Sequence, residues 1–249
     1  MMELSERKEK VSVQELEARP NFARPVLSLK QHLLDPKKTG IIAEFKKKSP
    51  SKGIINDSAK PEEVTKGYEL AGASACSVLT DIDFFGGSDE DLLAARAAIN
   101  IPILRKDFII DEYQIVEAKS LGADIILLIA ANLEKDTVKR LAKFTKSLGM
   151  EVLLEVHNEE ELKVVNDFVD VVGVNNRNLK DFKVDIQTSV DLATKIPSRF
   201  LKISESGISD VENIKMLKKH GYQGFLIGEN FMKTEDPGGA MAEFVKGLK

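Results

Sequence analysis

The sequence predicts an α/β fold, a (β/α)8 TIM barrel with an N-terminal helical extension, in which residues 1–249 form one domain and 1–40 the extension. Three observations predict it. After residue 40 the chain alternates short β-rich runs with helical patterns eight times in roughly 210 residues, the count and size of such a barrel. The runs are apolar on both faces, as strands of a parallel sheet covered by helices must be. No glycine-rich loop follows the first run, whereas the alternative, an open doubly wound sheet, usually carries its phosphate loop there.

Each unit has a local reason. Strand one, Ile41–Lys46, leads to the helix Pro61–Ala71, with Pro at its start and Gly72 after it. Strand two, Ala75–Thr80, leads to Ser88–Ile99, opened by a Ser-Asp-Glu cap signal. Strand three, Pro102–Asp107, is followed by Asp111–Leu121, stopped by Gly122. Strand four, Asp124–Ala131, is followed by Leu133–Leu148, stopped by Gly149. Strand five, Glu151–Val156, precedes Asn158–Phe168, with Asn158 as N-cap. Strand six, Val171–Asn176, precedes Asp185–Ile196, and strand seven, Phe200–Glu205, precedes Asp210–His220. Strand eight, Gly224–Gly228, and the helix Gly238–Leu248 close the series. In the extension, Val13–Ala18 and Leu27–Leu34 read as short helices that cap the barrel or overhang its mouth.

Composition narrows the function. Among 249 residues, 43% are hydrophobic and the net charge is −4, so there is no basic excess for gripping a nucleic-acid backbone. No apolar run reaches the length of a membrane span, and the first eighteen residues lack the apolar core of a secretory signal. The single cysteine, Cys76, excludes an internal disulfide, and His32, His157 and His220 lack metal-ligand spacing. The expectation is a cytoplasmic protein without metal or cofactor. Its expected partner is a small phosphorylated molecule, with no nucleic acid and no membrane; the sequence leaves the oligomeric state open, monomer included.

Chemistry is expected at the C-terminal ends of the strands. Residues two apart in a strand share a face, so Glu44 and Lys46 share one, Leu104 and Lys106 another, Leu153 and Glu155 a third. Charges on a core face are costly unless paired or used. With Asn175 and Arg177 from strand six and Glu205 from strand seven, they form an acid–base set at one ring. The alternative is a self-neutralising ion-pair network. Ser206-Gly207 and Gly228-Glu229 end the last two strands, where such barrels bind phosphate on bare N–H groups. Ser49 and the lysines after strand one add to that cradle, and the Arg177 guanidinium suits a planar anion. Phe85, Phe108 and Leu127 can wall a flat apolar ring.

These motifs carry a resemblance. Ile41-Ile42-Ala43-Glu44-Phe45-Lys46-Lys47-Lys48-Ser49-Pro50-Ser51, Leu104-Arg105-Lys106-Asp107-Phe108-Ile109, Leu154-Glu155-Val156-His157, Gly173-Val174-Asn175-Asn176-Arg177 and Ser204-Glu205-Ser206-Gly207-Ile208 are similar to those of indole-3-glycerol-phosphate synthases. The resemblance covers nearly the whole chain. It implies a cofactor-free lyase that converts 1-(2-carboxyphenylamino)-1-deoxyribulose 5-phosphate to indole-3-glycerol phosphate, carbon dioxide and water. Lys106 would then be the general acid of ring closure, and Glu155 the acid or base of dehydration. Lys46 would hold the substrate carboxylate, Glu44 orient the lysines, Asn175 bind hydroxyls and Glu205 shape the network. Ser49, Arg177, Ser206, Gly207, Gly228 and Glu229 would surround the phosphate; Phe85, Phe108 and Leu127 the aromatic ring. Glu229 is expected to offer only its backbone N–H and turn its carboxylate away, since a carboxylate repels a phosphate dianion. His157 receives no role. A sibling barrel that isomerises phosphoribosylanthranilate would need a strand-one cysteine, which this chain lacks, and a barrel that only binds phosphorylated ligands would make no product.

Overall fold

The structure is a computed structural model and describes residues 2–248. Its eight barrel strands are β1 (Ile41–Phe45), β2 (Ala75–Leu79), β3 (Ile103–Lys106), β4 (Ile125–Ile129), β5 (Glu151–Val156), β6 (Val171–Asn175), β7 (Leu201–Glu205) and β8 (Gly224–Ile227). They close in chain order, all parallel, with β8 pairing back onto β1. Closure satisfies every strand edge, and the alternation of side chains splits the core in two. Ile42, Ala75, Leu104, Ile125, Leu127, Leu153, Val171, Ile203 and Leu226 fill the barrel interior. Their neighbours one residue away, among them Ile41, Ala43, Cys76, Ile126, Val152 and Val172, pack against the helices.

The predicted helix starts hold where a side chain satisfies the first free N–H groups. Ser88 accepts from the Asp91 N–H and opens Asp89–Ala98; Asp111 and Gln114 form a reciprocal capping box on Glu112–Leu121. Two helices are shorter than predicted. After β5 only a 3₁₀ segment forms, Glu160–Val164, whose N-cap is Glu159 and not Asn158; the Asn158 side chain sits one residue earlier and accepts from the Glu161 N–H. The β-branched pair Val164-Val165 and the local turn in which Asn166 accepts from the Phe168 N–H end it early. After β6 the helix runs only over Gln187–Leu192. A two-residue-stranded hairpin, Lys48–Ser49 with Gly53–Ile54, stands where the sequence read as loop.

The extension contains the expected helices, trimmed to Val13–Glu17 and Leu29–Leu34, and a further helix, Met2–Lys10. Leu29 and Leu33 insert among the interior residues at the N-terminal end of the strands. Leu27 N–H and Arg24 bind Asp124, just before β4, and Ser28 donates to Glu151, the first residue of β5. This part of the extension plugs the bottom of the barrel; it does not overhang the mouth. Met2–Lys10 lies higher, where Arg7 pairs with Asp89 and Glu117 at 2.9 and 2.7 Å. These carboxylates also hold Arg105, which is 0% exposed between the barrel and its helices.

Candidate active site

The strand tips surround a cavity of about 780 Å³ at the C-terminal end of the barrel. Every residue expected at the site lines it: Glu44, Lys46, Ser49, Phe85, Lys106, Phe108, Leu127, Glu155, Asn175, Arg177, Glu205, Ser206, Gly207, Gly228 and Glu229. The catalytic candidates come from five different strands, so only closure brings them together.

Lys106 is the electrostatic centre. Its Nζ lies 2.8 Å from Glu205 and 3.3 Å from Glu155. Burial disfavours its charge, but the carboxylates of Glu205, Glu155 and Glu44 outweigh that and hold it as an ammonium well above the ordinary lysine range. Burial likewise opposes charge on Glu155, but Lys106, His157 and an Asn175 hydrogen bond reverse the sign and keep it a carboxylate. Glu205 goes the other way: burial and the charges of Glu155 and Glu44 outweigh Lys106 and raise it. Two carboxylates on one ammonium thus differ in proton affinity. A second ammonium, Lys46, pairs with Glu44 at 2.7 Å.

Two glycines make room for these carboxylates. A Cβ on Gly173 would sit 2.2 Å from Glu205 Oε1, and one on Gly228 would sit 2.5 Å from Glu44 Oε1. At the β8 tip the missing side chain of Gly228 also leaves the space that Glu44 occupies. The β7 tip carries Ser206 at φ +67, a left-handed conformation uncommon for a residue with a side chain.

The anion end is less crowded than the sequence suggested. Lys47 turns outward to Asp91 at 2.7 Å and Lys48 donates to the Asp83 carbonyl, so among the lysines after β1 only Lys52 faces this region. The Ser49 hydroxyl is buried and has no hydrogen-bond partner among the described residues. The Glu229 carboxylate does not turn away. It lies 3.9 Å from both Arg177 and Lys52, drawn by their charges. At the opposite side Phe85 stacks near Phe108 with ring centroids 6.2 Å apart.

The sequence model of the indole-3-glycerol phosphate synthase family matches residues 1–244. An indole-3-glycerol phosphate synthase of Bacteroides thetaiotaomicron is 48% identical over 247 residues, covering 99% of this chain and 95% of that protein. One of Bordetella pertussis is 45% identical over 209 residues, covering 84% and 80%. The chain belongs to the indole-3-glycerol phosphate synthase family. It is an enzyme of tryptophan biosynthesis, a lyase that closes the indole ring with loss of carbon dioxide and water. Among solved structures, the tryptophan synthase α-subunit of Pyrococcus furiosus superimposes with a TM-score of 0.63 at 16% identity, covering 85% of this chain and 98% of that one. A 3-hexulose-6-phosphate synthase of Salmonella typhimurium gives 0.64 at 13% identity, with 84% and 97% covered. Both likenesses show the barrel fold.

Membership in the synthase family agrees with the place of Cys76, which lies on β2 and not on the first strand, where a sibling isomerase would need its thiol. Cys76 faces the helices, fully buried, and burial raises it far above the ordinary thiol range. Among the described residues no cluster of His, Cys, Asp or Glu is placed to hold a metal ion, and no helix is long and apolar enough to cross a membrane. The sequence reading missed part of the mouth. Leu179, Phe182 and Val184 line the cavity from the segment after β6, and Phe84, which the sequence places in the mouth loop beside Phe85, meets Phe108 edge-on at 5.7 Å. The segment after β6 has no period to read. Its turn is set by Asn178 and Lys183 pairing and by Phe182 at φ +57. The exposed Leu179, Phe182 and Val184 were its one legible signal.

Proposed function

We propose that the ring of charges carries out the synthase reaction with the following division of labour. The substrate's phosphate sits against Arg177, the Ser49 hydroxyl and the N–H groups at the β7 and β8 tips, and its aromatic ring against Phe85, Phe108 and Leu127. The substrate carboxylate faces Lys46, which Glu44 holds, and Asn175 binds ribulose hydroxyls. This places the ring carbon that bears the carboxylate against the ribulose carbonyl, where positioning supplies much of the rate.

Attack of that carbon forms the new C–C bond and drives the carbonyl π pair onto oxygen. The Lys106 ammonium stabilises the developing alkoxide and gives it a proton. An alkoxide is a stronger base than an amine, so this transfer is downhill even from a lysine whose proton is tightly held. Carbon dioxide then leaves, and its bonding pair returns the six-membered ring to aromaticity. The hydroxyl departs as water with one added proton, and a proton lost from the adjacent carbon restores the indole. Glu155, across the ammonium from Glu205, serves the proton transfers of this last stage. Glu205 anchors Lys106.

The observation that carries this reading is the Lys106 ammonium held between Glu205 and Glu155 at 2.8 and 3.3 Å inside the cavity. The test is Glu155→Gln, followed by carbon dioxide release and indole fluorescence in parallel. Carbon dioxide is expected to appear ahead of fluorescence, because decarboxylation precedes the step that Glu155 serves. Equal loss of both signals would overturn its assignment to dehydration.

A further inference from the structure

Behind Glu155, away from the cavity, stands a second charged pair that the reaction above does not use. His157 Nε2 lies 3.3 Å from Glu155 Oε1, opposite the side that faces Lys106. The ring is 10% exposed and does not line the cavity. Its other nitrogen, Nδ1, lies 3.2 Å from Glu161 Oε2, an oxygen that also accepts the His157 backbone N–H at 2.7 Å. Glu161 is itself fixed, since Asn158 Nδ2 donates to its second oxygen at 2.7 Å. The order Lys106–Glu155–His157–Glu161 therefore alternates in sign from the cavity to the protein's flank. At 3.3 Å Nε2 is close enough to attract the Glu155 carboxylate although the contact is not an aligned hydrogen bond.

We propose that His157, backed by Glu161, is a positioning residue for Glu155: its imidazolium fixes the carboxylate from behind and keeps it ionised and aimed into the cavity. This rests on the role given to Glu155 above. Burial opposes a charge on the ring, but Glu155 and Glu161 outweigh it and lift His157 to about 9, so the cation persists at neutral pH. The groups facing Glu155 are Lys106 from β3 and His157 and Asn175 beside it, with Glu205 and Glu44 further round the ring. Those facing His157 are Glu155 and Glu161. Removing one of two cations at equal distance should let Glu155 take a proton at higher pH.

The experiment is the pH dependence of kcat/KM for His157→Asn and His157→Lys, with Glu155→Gln as reference. In His157→Asn the acid limb is expected to rise by about one pH unit, because an opposite charge at this range shifts a carboxyl by about one to three. At neutral pH kcat should fall several-fold with KM within twofold, since His157 does not touch substrate. His157→Lys, which keeps a cation, should restore the limb toward its original position. A profile for His157→Asn that superimposes on the parent, or equal shifts in both variants, would overturn the inference. If Glu155→Gln itself leaves kcat unchanged, the role of Glu155 fails. If Glu155→Gln abolishes activity and the His157→Asn profile does not move, only the role of His157 fails.

Discussion

Replacing Lys106 with Met keeps the length of the side chain and removes its charge, and the structure fixes the consequences. At 2.8 and 3.3 Å from Glu205 and Glu155, the two attractions amount to about 6 and 5 kcal/mol at an effective dielectric constant of about 20. Desolvation of the buried ions offsets several kcal/mol of each, so breaking the cluster should cost about 3–5 kcal/mol net. Catalysis loses a proton donor worth about 10²–10⁴-fold, equivalent to about 3–5 kcal/mol of barrier. The pH dependence of stability should steepen. Burial already raises Glu205, opposed by Lys106; without the ammonium it rises further. A carboxyl raised in the folded state contributes its stability fully below its unfolded value, near 4.3, and loses it as pH climbs through the folded value. Lys106→Met should therefore lower Tm more at pH 8 than at pH 5. Thermal unfolding at both pH values and kcat from indole fluorescence check this. Turnover within tenfold of the parent, or a Tm loss equal at both pH values, would refute the placing of Lys106 at the centre.

Three further outcomes are expected. Arg177→Ala should raise KM by about 10- to 100-fold with kcat nearly unchanged, the equivalent of one charged hydrogen bond of about 1.5–3 kcal/mol; steady-state kinetics showing a kcat loss at constant KM would point instead to work in the transition state. Gly173→Ala places a Cβ 2.2 Å from Glu205 Oε1, which should destabilise the fold by about 1–3 kcal/mol and lower kcat by moving Glu205 off Lys106; denaturant unfolding and turnover measure both. Arg105→Met leaves Glu117 and Asp107, at 2.8 and 3.1 Å, without their buried cation, and should cost about 3–5 kcal/mol, or about 10 °C in Tm; a calorimetric shift under 3 °C would contradict it.

Much of the site was legible because barrel strands obey a period of two. Once Ile42, Leu104 and Leu153 face inward, Glu44, Lys106 and Glu155 must follow two residues later. Chain-order closure then brings separate tips to one mouth. Side chains beyond the strand ends escape that rule. Lys47 and Lys48 leave the site for Asp91 and the Asp83 carbonyl, and Glu229 lies toward Arg177 and Lys52, because past the barrel strands the nearest opposite dipole or charge decides. Arg105 looked like one more strand residue until the helix layer surrounded it with Glu117, Asp89 and Asp107.

By itself the sequence determined the barrel, its strand faces and which charges point inward, since these follow from local periodicity and caps. Only the tertiary structure decided how those charges divide among themselves: that Glu155 stays anionic while Glu205 rises, that Gly173 and Gly228 make room for carboxylates, and that His157 backs Glu155 from outside the cavity. Proton affinity depends on burial and on charges a few ångströms away in space, and strands far apart in the chain supply most of those charges.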